Sequence, residues 1–274
     1  MTATRLTGVR AITLDFGNTL VPVQRAALRG VVATTAAQVT AKLGLGSEAA
    51  FLEAWAEERD RQFREEVPLF REVDLAQRAM RVIARLRGLE PPTVAWDDEA
   101  AGAWSTSEEV ALVVTTYSDA FVAAVEPPVS SGELIATLAD RGFQVAILSN
   151  WPLATTIDRV AEAAGWAAHL SGIFVSERIG TIKPHPAIFA HVEASLGRAP
   201  REILHVGDDW AADVVGAATA GWRVAYLRNR QLDTSLPTSE PGDGPMPDLE
   251  LDDLAELPAQ LADPPPVHSR HGGT

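Results

Sequence analysis

Apolar runs without polar alternation stand out at residues 9–14, 143–148, 203–206 and 223–227. Unbroken β-branched and apolar residues of this length are the pattern of strands buried on both faces of a parallel sheet. A shorter strand is expected at residues 173–176, and an edge strand at 249–251. Between these runs the apolar spacing is helical, at residues 131–141, 154–164, 185–196, about 211–220, and 252–261. Gly142 closes the first of these helices. Strands alternating with helices argue a parallel sheet with right-handed crossovers.

The stretch after the first strand has a different pattern. Residues 26–43 carry Ala, Val and Leu at helical spacing, with Gly44 as a stop. Ser47 can cap a second helix, which runs through the charged residues 57–66 until Pro68 breaks it. Residues 74–87, 93–103 and 106–125 read as three more helices, with a Pro91-Pro92 loop among them. No strand pattern occurs between Val21 and Glu126, so this is an all-helical insert. The expected organisation is a doubly wound parallel-sheet α/β core (residues 1–21 and 127–262) carrying a helical cap (residues 22–126). Residues 228–247 read as a loop. The Pro- and Gly-rich residues 263–274 read as a disordered tail.

Composition narrows the class. The 274 residues suffice for one large or two modest domains. With no Cys there is no disulfide frame, thiolate nucleophile or Cys-ligated zinc. Residues 231–263 hold nine acidic side chains and no Lys or Arg, so most of the net charge of −14 lies near the carboxyl end. No Lys/Arg-rich footprint for nucleic acid is present. The polar amino end lacks an apolar signal core, and no run reaches membrane-spanning length, so no membrane partner and a cytoplasmic location are the default expectations. Oligomeric state is not legible.

The chemistry centres on Asp15, which ends the first strand and precedes Gly17, Asn18 and Thr19. Ligand crevices of open α/β sheets lie at the carboxyl ends of strands. A carboxylate there can act as a nucleophile or hold a magnesium ion. Taken alone, it is equally a turn residue. Three later stretches bear on that choice: Val145-Ala-Ile-Leu-Ser-Asn150, Gly180-Thr-Ile-Lys-Pro-His-Pro186 and Ile203-Leu-His-Val-Gly-Asp-Asp-Trp-Ala-Ala-Asp213. Asp208, Asp209 and Asp213 crowd together after a buried strand, which favours a hard divalent cation among them. Lys183 is flanked by two prolines that stiffen its loop; the bland alternative is a solvated surface lysine. Ser149 and Asn150 could donate to phosphate oxygens or merely form a turn before Pro152.

With Asp15, these stretches resemble, in order and spacing, the four motifs of the haloacid dehalogenase-like (HAD) hydrolase superfamily, over residues 9 to about 261. The resemblance implies a Rossmann-like core with the cap inserted after the first motif. It implies that Asp15 attacks a phosphoryl group to form an aspartyl-phosphate that water hydrolyses, and that Thr19 orients the loop. It further implies phosphate binding by Ser149 and the Asn150 amide, and charge compensation by Lys183. Mg²⁺ is implied on Asp15, Asp208 and the carbonyl of Gly17, with Asp213 behind them and Asp209 capping the next helix. His185 is expected to be structural or exposed. The partner so implied is a small phosphorylated metabolite.

Gly17 departs from the family pattern. Most phosphatases of the superfamily carry Asp at this position, where it protonates the leaving group and then activates water. Glycine has no proton to give, and such help is worth roughly 10²–10⁴ in rate. Two other readings therefore stand beside the phosphatase: a binding or regulatory protein with poor turnover, and a 2-haloacid dehalogenase, which also lacks this Asp and needs no metal. Gly207-Asp208-Asp209 speaks against the last. The cap offers Trp55, Arg61, Arg64, Trp96 and Trp104 as possible substrate contacts, although helical spacing favours core packing for the tryptophans.

Overall fold

The computed structural model describes residues 5–228, 233–242 and 244–264. Six parallel strands form one sheet in the order β3-β2-β1-β4-β5-β6. They are β1 (Ala11–Leu14), β2 (Gln144–Ser149), β3 (Leu170–Val175), β4 (Ile203–Gly207), β5 (Arg223–Leu227) and β6 (Leu249–Leu251). The chain moves outward to β2 and β3, then crosses back to β4 on the other side of β1. The winding thus reverses between β1 and β4, where open sheets of this kind form their crevice.

Alternate residues of each strand point to opposite faces, and each face has its own core. On one face Ile12, Leu14, Val145, Ile147, Leu204 and Val206 pack with α6 (Val129–Asp140), α7 (Ala154–Ala163) and α11 (Leu257–Gln260). On the other, Ala11, Ala146, Leu148 and Ile203 pack with Ile188, Phe189 and Val192 of α9 (Pro186–Leu196) and Ala217 of α10 (Gly216–Thr219). A four-residue helix, α8 (Ser176–Ile179), follows β3.

Between β1 and β2 the described chain is helical: α1 (Arg25–Leu43), α2 (Glu48–Glu66), α3 (Leu75–Leu86), α4 (Asp98–Gly102) and α5 (Ser107–Ala124). The capping signals act locally. Ser47 accepts from Ala50 N, Asp74 accepts from Ala76 N and Gln77 N, and Thr106 with Glu109 forms a reciprocal box. Gly44 ends α1 at φ 63°. Phe51, Trp55, Ala79, Val82, Ile83 and Val113 give these helices a cluster of their own.

Four expectations need correction. The strand expected at residues 173–176 runs instead over Leu170–Val175, and Ser176 opens α8. Residues 93–97 are not helical; Arg61 holds the carbonyls of Pro92 and Val94, and the helix begins only after its Asp97 cap. The helix after β4 opens as a π-helical turn, Trp210–Val215, before α10. The last helix is split, because Asp253 starts a 3₁₀ turn and α11 begins anew with Pro258 in its first turn. Residues 265–274 of the expected tail lie outside the described residues. Among the described residues no single helix is long and apolar enough to cross a membrane.

Candidate active site

Asp15, Ser149 and Asp208 follow or end three adjacent strands, β1, β2 and β4. Asp15 N donates to Val206 O at 2.8 Å, which fixes the loop after β1 against the end of β4. Asp15, Ser149, Lys183 and Asp213 are all buried. Such burial of ionisable groups requires partners, and Lys183 supplies them. Its Nζ donates to Asp15 Oδ1 at 2.9 Å, Asp213 Oδ1 at 2.6 Å and Leu148 O at 2.9 Å. Three donors thus meet three acceptors. The solvated alternative for this lysine is thereby excluded.

Asn150 shows how the lysine is held. Its Nδ2 donates to Lys183 O at 2.9 Å, and its Oδ1 accepts from Lys183 N at 2.7 Å. The Asn150 side chain therefore clamps the lysine's backbone. The helical insert also reaches this loop. Phe70 O accepts from Ile182 N at 3.1 Å and Thr181 Oγ1 at 2.9 Å, and the Phe70 ring lies 5.4 Å from His185. His185 caps α9, its Nδ1 accepting from Ala187 N at 3.3 Å. None of these insert contacts was legible in the sequence.

On the other side, Thr19 Oγ1 donates to Asp208 Oδ1 at 3.2 Å. Asp209 caps the π-helical turn, its Oδ1 accepting from Ala212 N at 2.7 Å and from Ser239 Oγ at 2.8 Å. Asp213 Oδ2 accepts from Asp209 N at 2.9 Å. Behind Asp213 stands His205, a buried residue of β4 that sequence reasoning passed over. Its Nε2 lies 3.0 Å from Asp213 Oδ1, and its Nδ1 lies 2.8 Å from Thr13 Oγ1. An ionised carboxylate only accepts, so Nε2 carries the proton and Thr13 can donate to Nδ1. The signal was available: a histidine inside an apolar strand needs buried partners.

Gly207 makes this arrangement possible. A Cβ there would stand 2.1 Å from Asp213 Oδ2 and 2.2 Å from Cγ, so the carboxylate lies where any side chain would be.

The charges follow from this geometry. Burial, reinforced by the Asp213 charge, pushes the Asp15 carboxyl up, and Lys183 opposes the shift. Burial works against ionised Asp213, but Lys183 and then His205 outweigh it and hold that carboxyl below its ordinary range. Burial would also lower Lys183; Asp15 and Asp213 prevail and hold it above the ordinary lysine value.

Carboxylate oxygens of Asp15, Asp208 and Asp213 lie within 4.8 Å of one another. Three carboxylates against one ammonium leave a surplus of negative charge and an all-oxygen donor set, which fits a hard divalent cation. Because Asp213 already serves Lys183, His205 and Asp209 N, Asp15 and Asp208 are the better-suited ligands.

Of the insert residues considered for substrate, Trp55 is buried and stacks on Phe51 and Tyr117. Trp96 Nε1 donates to Glu58 at 2.8 Å, and Arg61 binds the loop carbonyls described above. These side chains are engaged within the insert itself.

Comparison with known proteins agrees with this layout. A family model described as haloacid dehalogenase-like hydrolase matches residues 9–221. A glyceraldehyde 3-phosphate phosphatase of Methanopyrus kandleri is 28% identical over 148 residues, covering 54% of this chain and 62% of the relative. A phosphoserine phosphatase of Thermus thermophilus is 33% identical over 117 residues, covering 43% and 44%. A phosphoglycolate phosphatase of Haemophilus influenzae is 30% identical over 125 residues, covering 46% and 53%. The matched stretch thus spans roughly half the length of these curated relatives. Among solved structures, a 2-haloacid dehalogenase from Pseudomonas syringae superposes with a TM-score of 0.60 at 20% identity, covering 91% of this chain and 96% of the other. A HAD phosphatase from Thermococcus onnurineus gives 0.56 at 18%, covering 93% and 99%. At such identities the structural likeness shows the fold alone. With the family model spanning most of its length, the chain belongs to the haloacid dehalogenase-like hydrolases.

Proposed function

We propose that this protein is a Mg²⁺-dependent phosphohydrolase of a small phosphorylated metabolite, working through an aspartyl-phosphate on Asp15. The observation that carries the reading is the convergence on Asp15 of one buried ammonium, at 2.9 Å, and a second strand-end carboxylate, Asp208. The phosphatase names of the three relatives support the same class.

In this reading Asp15 Oδ attacks phosphorus, and Lys183 offsets the repulsion between that carboxylate and the incoming phosphate. Asp213 and His205 hold the lysine charged and aimed. Ser149 Oγ and the Asn150 backbone N–H are the donors for phosphoryl oxygens. Mg²⁺ would be held by Asp15, Asp208 and the carbonyl of Gly17, where it supplies neutralisation of phosphoryl charge. Thr19 keeps Asp208 oriented.

A second reading, a phosphate-binding protein of low turnover, has Gly17 as its support. Dehalogenation, which needs no metal, leaves the grouping of Asp208 with Asp15 without a purpose. A panel of phosphorylated metabolites assayed with Mg²⁺ and with EDTA separates the three. The proposal expects phosphate release that EDTA abolishes and Mg²⁺ restores, with Asp208→Asn weakening Mg²⁺ binding by calorimetry. Phosphate-analogue binding without turnover would favour the second reading. Metal-independent halide release from 2-haloacids would favour the dehalogenase.

A further inference from the structure

The loop after β5 does more than connect. Residues 233–239 lie as a strap from the nucleophile loop to the start of the π-helical turn. At one end Arg25 N donates to Asp233 O at 2.8 Å, and the Arg25 guanidinium binds Asp233 Oδ1, at 2.8 Å, and Thr234 O. Asn18 Nδ2 donates to Thr234 Oγ1 at 3.4 Å. At the other end Ala211 N donates to Ser239 Oγ at 2.7 Å, Trp210 N donates to Ser239 O at 3.3 Å, and Ser239 Oγ donates to Asp209 Oδ1. The strap is therefore tied to residues just beyond β1 and just beyond β4.

Between these ties stands Leu236, half-buried against the core cluster that includes Phe16, Val23 and Trp151. A Cβ built on Gly17 would meet Leu236 Cδ1 at 2.8 Å, Trp151 Cζ3 at 3.6 Å and Val23 Cγ2 at 4.0 Å. Gly17 does not have positive φ, so backbone conformation does not demand a glycine there. The space beside it is instead filled by hydrocarbon from the strap.

We propose that Leu236 sets the leaving-group specificity of the site, in a way that rests on the phosphohydrolase reading above. Where a proton-donating side chain would stand two residues after the nucleophile, Leu236 of the strap fills the space and keeps a donor out. The substrates that suit a site without that donor are acyl and aryl phosphates. Asp15 Oδ bonds to phosphorus, the bond from phosphorus to the leaving oxygen breaks, and that oxygen keeps the electron pair and departs unprotonated. Water then attacks the phosphorus, the bond to Asp15 breaks with its pair returning to the carboxylate, and both protons of the water leave with the phosphate as H₂PO₄⁻. Carboxylic acids ionise near pH ~4 and phenols near ~10, whereas an alcohol resembles water at about 16. Acyl and aryl groups therefore leave without a donor, and alkyl groups do not. This separates the chain from the three relatives above, whose named phosphates are esters of alcohols.

The test is a double-mutant cycle over Gly17→Asp and Leu236→Ala. It is read as kcat/KM for acetyl, phenyl and ethyl phosphate, and as melting temperature for all four proteins. The wild type should favour acetyl and phenyl phosphate over ethyl phosphate. Gly17→Asp alone should lower the melting temperature and leave the ethyl-to-phenyl ratio nearly unchanged, because the new side chain meets Leu236. In the Leu236→Ala background the same change should cost less stability and raise the ethyl phosphate rate by roughly 10²-fold. Equal effects of Gly17→Asp in the two backgrounds, on both stability and ratio, would overturn the role of Leu236. A wild type that hydrolyses ethyl phosphate as readily as phenyl phosphate would do the same. Absence of turnover of every phosphate in all four proteins would overturn the phosphohydrolase reading and the specificity claim with it, while the melting cycle would still report separately whether Leu236 occupies the space beside Gly17.

Discussion

Lys183 Nζ lies 2.6 Å from Asp213 Oδ1 and 2.9 Å from Asp15 Oδ1, so one ammonium joins the end of β1 to the helical turn after β4. All three groups are buried, which makes the lysine a structural member of the site. Removing it leaves two carboxylates without their cation. Lys183→Met should therefore lower stability by about 3–5 kcal/mol, as when one partner of a buried pair is deleted. The loss should depend on pH. Asp213 is held below its ordinary 3.8, so its contribution is present above 3.8 and lost as pH falls through the lower folded value. Lys183 is held above its ordinary 10.5, so its contribution is present below 10.5 and lost as pH rises through the folded value. Urea unfolding of wild type and variant in EDTA should show the widest gap across the neutral range. A constant gap down to strongly acidic pH would contradict this account.

Glu72 gives a second pH dependence, with the opposite sign to Asp213. It sits where the insert meets the core; Oε2 accepts from Ser176 Oγ at 2.5 Å and Oε1 from Val73 N at 2.9 Å. Burial pushes its carboxyl above the ordinary 4.5, against the two hydrogen bonds and Arg78. The folded state then holds this proton more tightly than the unfolded state. The associated stability is full below 4.5 and is lost as pH rises through the folded value. Wild type should lose melting temperature relative to Glu72→Gln over that window and run parallel to it above. Parallel curves throughout would show that the carboxyl does not titrate abnormally.

Gly207 and Gly30 should respond in opposite directions to the same change. Gly207→Ala drives a methyl group into the Asp213 carboxylate and should cost roughly 3 kcal/mol or more, through overpacking and loss of the Lys183 and His205 contacts. Gly30 lies in α1 with open space around its Cβ position, so Gly30→Ala should stabilise by about 0.4–1 kcal/mol. Thermal or urea unfolding of the two variants decides the matter.

Much of the core was legible because its cues are local. The apolar runs of β1, β2, β4 and β5 have no polar alternation, so they could be read as buried strands within a residue or two of their observed ends. Ser47 announced its helix by side-chain chemistry that acts within three residues, and Asp74 and Thr106, read only as helix starts, act as caps in the same way. Asp15, Lys183 and Asp208 were legible as strand-end or stiffened-loop residues. What escaped depends on contacts between distant stretches. Asn150 could be read as a phosphate donor or a turn residue, but nothing local says that its side-chain amide holds the Lys183 backbone. Residues 233–239 read as an ordinary polar loop, since nothing in their composition says that Leu236 packs beside Gly17. For the tryptophans of the insert helical spacing favoured core packing, and Trp55 is indeed buried against Phe51 and Tyr117.

The measurement closest to the central claim is the trapping of phosphate on Asp15. A site without an acid–base group at position 17 should hydrolyse its aspartyl-phosphate slowly, so the intermediate should accumulate. The protein would be mixed with acetyl phosphate and Mg²⁺, quenched in acid, and its peptides analysed by mass spectrometry. The account predicts a phosphoryl group on Asp15 in the wild type, none in Asp15→Asn, and loss of turnover in that variant with the fold retained. Phosphate release that continues in Asp15→Asn, or wild-type turnover with the phosphoryl group on another residue, would contradict it.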